Sequence, residues 1–314
     1  MRHFLKENDF SPEEVIKMFA SAFDLKSGRS HRPTTDLAGQ SWGMMFYKQS
    51  TRTRVSFEVG IRELGGNPLI LDQSSTQIGR GESIADTAKV LSRFLDGLII
   101  RAHGHDVIEE FARHASVPVV NALTDFLHPC QIYADCMTAL EKLDAGTNPF
   151  EGLRDKKLAF FGDTSCNMAN SWILAGAMFG IEISLCGPGS YQPGKAIVAL
   201  LNDYNLDPTW SFSPDPEQSA QDADIVYTDV WVSMGCEDDR LGRLEAMKPY
   251  QVNDSVMSMA KKDCIFMHCM PAHPGEEVTQ SVLDSKNAIL FDQAENRLHM
   301  QKAILSALSS LNSQ

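Results

Sequence analysis

The sequence predicts an α/β protein of two domains, each a parallel sheet flanked by helices. Short continuous apolar runs recur along the chain with helix-length amphipathic segments between them, as buried strands of βαβ units require. The stretch Asp144-Ala145-Gly146-Thr147-Asn148-Pro149-Phe150 interrupts that alternation, and the same plan then begins again. A length of 314 residues suits two cores, and 43% hydrophobic with 22% charged residues is ordinary for a globular chain.

Ser11-Pro12-Glu13-Glu14 supplies a cap, a proline in the first turn and early acids. It predicts a helix over 11–26 with Val15, Met18, Phe19 and Phe23 on one side. The runs Trp42–Tyr47, Leu69–Leu71, Leu98–Ile100 and Val117–Val120 predict strands, with helices over 54–64, 83–95 and 105–115 between them. A helix over 128–143 closes this half. In the second half the runs Leu158–Phe161, Ile181–Leu185, Ile225–Tyr227 and Cys264–Met267 alternate with helices near 170–179, 193–203 and 217–222. The last run, Ile289–Phe291, precedes a helix to Leu311 that is expected to return and brace the first domain. The domains are therefore drawn as 1–146 with 295–314, and 147–294.

A net charge of −13 opposes binding to nucleic acid or an anionic membrane, both of which need a basic face. Seven cysteines, at 130, 136, 166, 186, 236, 264 and 269, form no CxxC pair and are expected to be reduced thiols. The start, Met1-Arg2-His3-Phe4-Leu5-Lys6-Glu7, has no apolar signal region, and no run approaches the roughly 18 apolar residues of a membrane span. A cytoplasmic protein is expected.

Ligands of parallel sheets collect beyond the carboxyl ends of the strands. Polar residues sit there. Ser50, Thr51, Arg52, Thr53 and Arg54 follow the first run and open a helix, where hydroxyls and guanidinium groups would join free N–H groups and the positive end of the helix dipole. Two assignments fit them: a phosphate cradle, or an N-cap with surface arginines. A Walker loop is excluded by the missing glycines and Lys-Ser/Thr pair. Gln77 follows the second run, Arg101 ends the third, and His128-Pro129-Cys130-Gln131 follow the fourth.

In the second half, Thr164 to Ser171 lead into a helix as a dinucleotide-binding turn would, but lack GxGxxG, which disfavours a nicotinamide dehydrogenase. Asp229-Val230-Trp231-Val232-Ser233-Met234-Gly235 and His268-Cys269-Met270-Pro271 end two further runs. By themselves Asp229 fits a helix cap, Met234 loop filler and Cys269 a packed core thiol. His268, Cys269 and His273 match no zinc spacing, so no metal is expected. Arg297 is expected at a strand-to-helix junction.

Ser-Thr-Arg-Thr-Arg at 50–54, His-Pro-x-Gln at 128–131, Asp-x-Trp-x-Ser-Met-Gly at 229–235, His-Cys-x-Pro at 268–271 and Ala-Glu-Asn-Arg at 294–297 together resemble the ornithine carbamoyltransferase family. The resemblance spans the chain in order. It implies two α/β domains joined by helices, a homotrimer with active sites at subunit borders, and no cofactor. It assigns Ser50, Thr51, Arg52, Thr53, Gln77, Arg101, His128, Gln131, Cys269, Met270 and Arg297 to carbamoyl phosphate, and Asn167, Asp229, Ser233 and Met234 to ornithine. Arg101, His128, Cys269 and Arg297 are implied as the catalytic groups. The implied reaction moves the carbamoyl group to the δ-amine of L-ornithine, giving L-citrulline and phosphate, a step of arginine metabolism.

The family usually has a pair of asparagines where this chain has Cys166-Asn167, and Leu where it has Met270. Aspartate as acceptor would call for an arginine near Pro271, as in the His-Pro-Leu-Pro-Arg pattern of aspartate carbamoyltransferases; here Ala272-His273 follow. A non-catalytic descendant that keeps the site without turnover is the remaining rival.

Overall fold

The computed structural model describes residues 1–29, 34–48, 50–72, 81–232 and 237–312. The chain divides into two compact units, Met1–Met137 with Glu295–Gln314, and Thr138–Ala294.

The first unit contains α1 (Pro12–Ser27), β1 (Ser41–Phe46), α2 (Thr51–Glu63), β2 (Asn67–Asp72), α3 (Ile84–Leu91), β3 (Gly97–Arg101), α4 (His105–His114), β4 (Val119–Leu123) and the start of α5 (Pro129–Lys142). Helix α1 begins as its sequence demands. Ser11 Oγ accepts from the Glu14 N–H at 3.3 Å, while Glu14 Oε2 accepts from the Ser11 N–H at 2.7 Å. Val15, Met18, Phe19 and Ala22, spaced as one helical face, are buried. The sheet is parallel throughout, in the order β2-β1-β3-β4. All five residues of β3 are buried, which is why its run is apolar without alternation until Arg101. Gly97 lies opposite Trp42, where an added Cβ would come within 2.4 Å of the indole ring.

The second unit contains the end of α5, α6 (Pro149–Gly152), β5 (Lys157–Phe161), α7 (Asn167–Phe179), β6 (Glu182–Cys186), α8 (Lys195–Asp203), β7 (Trp210–Ser213), α9 (Pro216–Ala220), β8 (Ile225–Thr228), α10 (Arg240–Met247), α11 (Asp254–Met259), β9 (Ile265–His268), α12 (Gln280–Leu283) and the first residues of α13 (Leu290–Asn312). Its five strands are parallel, in the order β7-β6-β5-β8-β9. Alternate residues face opposite ways. Phe160 and Tyr227 stack at 5.6 Å with Trp172 of α7 edge-on to Tyr227, whereas Ala159, Phe161, Val226 and Phe266 share a separate core cluster. Gly180, at φ +75°, ends α7 in the left-handed conformation that glycine adopts without steric cost.

In both sheets the strand order reverses direction beside a central strand, between β1 and β3 in the first and between β5 and β8 in the second. Such a switch point leaves a crevice at the carboxyl ends, since the connections on either side run away from it.

Three expectations are corrected. The run Ile289–Phe291 is not a strand. Ala288 makes a single bridge to Phe266, helix α13 begins at Leu290, and Phe291 is 85% exposed. Arg297 therefore lies two turns inside a helix and not at a strand end. The fourth strand begins at Val119, because Pro118 before it has no N–H to donate. Strand β7, at the sheet edge, and helices α10 to α12 were not foreseen.

Candidate active site

Register brings the first set of site residues together. Phe46, the last residue of β1, lies opposite Arg101, the last of β3. The chain leaving β1 reaches α2, whose N-cap Ser50 accepts the Thr53 N–H at 3.4 Å. The capping role proposed for this hydroxyl is thus realised, and the remaining N–H groups of the first turn present a positive dipole end beside it. Thr51 is exposed, Arg52 partly buried and Thr53 fully buried. Arg297 donates through Nη2 to Thr53 Oγ1 at 2.7 Å, linking α13 to the start of α2.

His128 precedes α5 and is buried with Gln131, Arg101 and Arg297. Burial, and after it the Arg297 and Arg101 guanidinium groups, hold its imidazole well below the usual histidine range, so it is neutral at neutral pH. Gln131 donates through Nε2 to the buried carboxylate of Asp135 at 2.8 Å. Its Oε1 has no hydrogen-bond partner among the described residues. Because Asp135 accepts from the amide nitrogen, that free oxygen can only accept. Two buried guanidinium groups, a helix N-terminus and an uncharged imidazole make a place for a small, multiply charged anion with a polar neutral part.

The second set forms in the other unit by the same logic. Thr228 at the end of β8 lies opposite His268 at the end of β9, so one residue further Asp229 meets Cys269. The Cys269 thiol donates to Asp229 Oδ1 at 3.0 Å, and the Val230 N–H donates to the same oxygen at 2.8 Å. Burial raises the Asp229 carboxyl above the ordinary carboxylate range, opposed by His268 and by these two donors. His268 accepts the Met270 N–H on Nδ1 at 2.8 Å, and its Nε2 lies 3.3 Å from the buried Glu277 Oε1. The His268 main-chain N–H donates to Gln293 at 2.9 Å. Met270 has φ +62°, a left-handed conformation that is uncommon outside glycine, asparagine and aspartate and that collects at functional turns.

Asn167 opens α7, and Cys166 before it is the N-cap. Burial, then Asp163 and Asp229, keep the Cys166 thiol protonated. Two groups of side chains have metal-type ligand atoms within 4.8 Å of one another, Asp229 with His268 and Cys269, and His273 with Glu276 and Glu277. In the first group Asp229 Oδ1, Cys269 Sγ and His268 Nδ1 are engaged in the hydrogen bonds just described.

The structure thus gathers Ser50, Thr53, Arg101, His128, Gln131 and Arg297 in one unit, and Asp229, Cys269 and Met270 in the other. Gln77, Ser233 and Met234 lie outside the described residues. Sequence reasoning missed Asp135, Glu277 and Arg243. Asp135 lies four residues after Gln131 on α5, a spacing that could have shown it; Glu277 and Arg243 sit in charged stretches that look like solvated surface.

Residues 2–141 match the carbamoyl-P binding domain, and residues 154–308 the Asp/Orn binding domain, of aspartate/ornithine carbamoyltransferases. An ornithine carbamoyltransferase of Halalkalibacterium halodurans is 46% identical over 310 residues, covering 98% of this chain and 95% of that protein. One from Archaeoglobus fulgidus is 43% identical over 316 residues, covering 100% and 99%. Among solved structures, the ornithine carbamoyltransferase of Pyrococcus furiosus superimposes with a TM-score of 0.89 at 41% identity, covering 97% of this chain and 96% of that one. With both units matched in order along nearly the whole length, the chain belongs to the aspartate/ornithine carbamoyltransferase family.

Proposed function

We propose that the protein transfers the carbamoyl group of carbamoyl phosphate to the δ-amine of L-ornithine, giving L-citrulline and phosphate. The observation that carries this is the buried cluster of Arg101, Arg297, Thr53 and His128 at the switch point of the first sheet. Carbamoyl phosphate combines a phosphate dianion with a polar carbonyl, and the cluster offers complementary groups for both. Arg52 and Arg101 supply planar donors for the phosphate oxygens. Negative charge moves onto the carbonyl oxygen as the amine attacks. Thr53, His128 and Arg297 donate to it there, the imidazole without contributing charge of its own. Gln131 Oε1 accepts from the carbamoyl NH2. Ser50 and Thr51 complete the cradle, together with Gln77.

An alkylammonium has a pKa of about 10.4, and only its deprotonated form attacks. Asp229 binds the α-ammonium of ornithine, assisted by Asn167, Ser233 and Met234. Cys269, already bonded to Asp229, orients the δ-amine and takes part in moving its proton, with Met270 in the same turn. Residues 1–146 with 295–314 constitute the carbamoyl phosphate-binding domain and 147–294 the ornithine-binding domain. No cofactor takes part.

We further assign the chain to a cytoplasmic homotrimer of arginine biosynthesis. Val55, Leu69, Val90 and Phe94 are exposed apolar side chains of the first unit, which supports an interface between copies there. No described helix is long and apolar enough to cross a membrane. The test is a carbamoyl-transfer assay with ornithine, aspartate and acetylated ornithine. Citrulline formation specific to ornithine is expected, whereas carbamoyl-aspartate formation or no transfer contradicts the assignment.

A further inference from the structure

Arg243 on α10 is a largely buried arginine outside the residues assigned above, and it touches three separate segments of its unit. Its Nη1 donates to Asp163 Oδ2 at 2.8 Å and to the Trp231 carbonyl at 3.1 Å, and its guanidinium carbon lies 5.0 Å from the centre of the Tyr191 ring. The pair is well shielded, with side-chain exposures of 14% for Arg243 and 6% for Asp163. Each contact leads to the site. Asp163 holds the turn before α7: its Oδ1 accepts the Ser165 N–H at 2.9 Å and the Ser165 hydroxyl at 2.5 Å. That turn delivers Asn167. Tyr191 is itself tied to the turn, since its carbonyl accepts the Thr164 hydroxyl. Trp231 stands two residues beyond Asp229 on the chain leaving β8.

From this geometry we infer that Arg243 is a positioning residue for amino-acid recognition. It clamps the turn that carries Asn167 to the strand end that carries Asp229, fixing the spacing between two groups that must meet one substrate. The inference rests on the reading of the second unit as the ornithine-binding half. Arginine suits the task because a planar fork can bond at its edge and stack by its face, which a lysine ammonium cannot do together.

Steady-state kinetics with both substrates varied provides the test. Arg243→Ala is expected to raise the ornithine KM about tenfold, the size expected for losing a charged hydrogen bond, while the carbamoyl phosphate KM stays within about twofold. Arg243→Lys recovers part of that loss. Arg240→Ala, which removes a charge from the same helix at an exposed pair with Glu276, is expected to behave as wild type. Both KM values unchanged in Arg243→Ala, both raised in proportion, or the same shift in Arg240→Ala would each overturn the inference. Should Arg243→Ala fail to fold, Asp163→Asn keeps the shape and removes the charge; it is expected to raise the ornithine KM alone, and an unmoved value overturns the clamp. Should the wild type form no citrulline, the functional reading fails and hydrogen exchange decides the clamp separately. Faster exchange of amides 163–169 and 229–232 in Arg243→Ala, with β6 unaffected, supports it, and equal exchange refutes it.

Discussion

His128 shows how far a residue's chemistry is set by its neighbours. In water its imidazole would be half charged near pH 6.5; here burial and two guanidinium groups keep it neutral. The unfolded chain therefore binds a proton that the folded chain does not, and stability falls as pH drops from 6.5 toward the depressed folded value. His3, His105 and His299 are shifted downward as well, chiefly by burial, and add to the same slope. Melting temperature is expected to decline below pH 6.5. His128→Asn should flatten the decline by at most about 1.4 kcal/mol per pH unit, and an unchanged slope would show that His128 is not held neutral. Arg297→Ala removes the donor bonded to Thr53 and is expected to lower kcat by about 100- to 1,000-fold. For Cys269→Ser, an altered pH–rate profile is expected, and a wild-type rate and profile would remove the thiol from proton handling.

At the scale of elements, parallel strands set which residues meet. Gly97 lets β3 pack under the Trp42 ring, and Gly97→Ala is expected to cost about 1–3 kcal/mol by chemical denaturation through overpacking. Most strands were legible because buried parallel strands leave unbroken apolar runs. Trp210-Ser211-Phe212-Ser213 was not, because an edge strand only partly buried alternates and is short. Ile289-Leu290-Phe291 misled in the opposite sense, since three apolar residues do not reveal that one ends a bridge and the next begins a helix. Much of the candidate site was legible because its motifs follow strands directly. The partners Asp135, Glu277 and Arg243 were not, since a buried charge and a solvated one are written with the same letter until the fold brings a second group to it.

For the whole molecule, the consequence is a division of labour. Arg101, His128 and Arg297 lie in the unit 1–137 with 295–314, and Asp229 with Cys269 in the unit 138–294. Substrate recognition should therefore separate by unit under mutation. The expected homotrimer can be checked by light scattering, where a mass near a single 34.8 kDa chain would contradict it. The most direct measurement of the central claim is a pair of KM values for each of two variants, Arg101→Lys and Asp229→Ala. Arg101→Lys is expected to raise the carbamoyl phosphate KM and Asp229→Ala the ornithine KM, each leaving the other substrate nearly unaffected. Ornithine turnover by Asp229→Ala at an unchanged ornithine KM, or an Arg101→Lys enzyme that binds carbamoyl phosphate as wild type does, would contradict it.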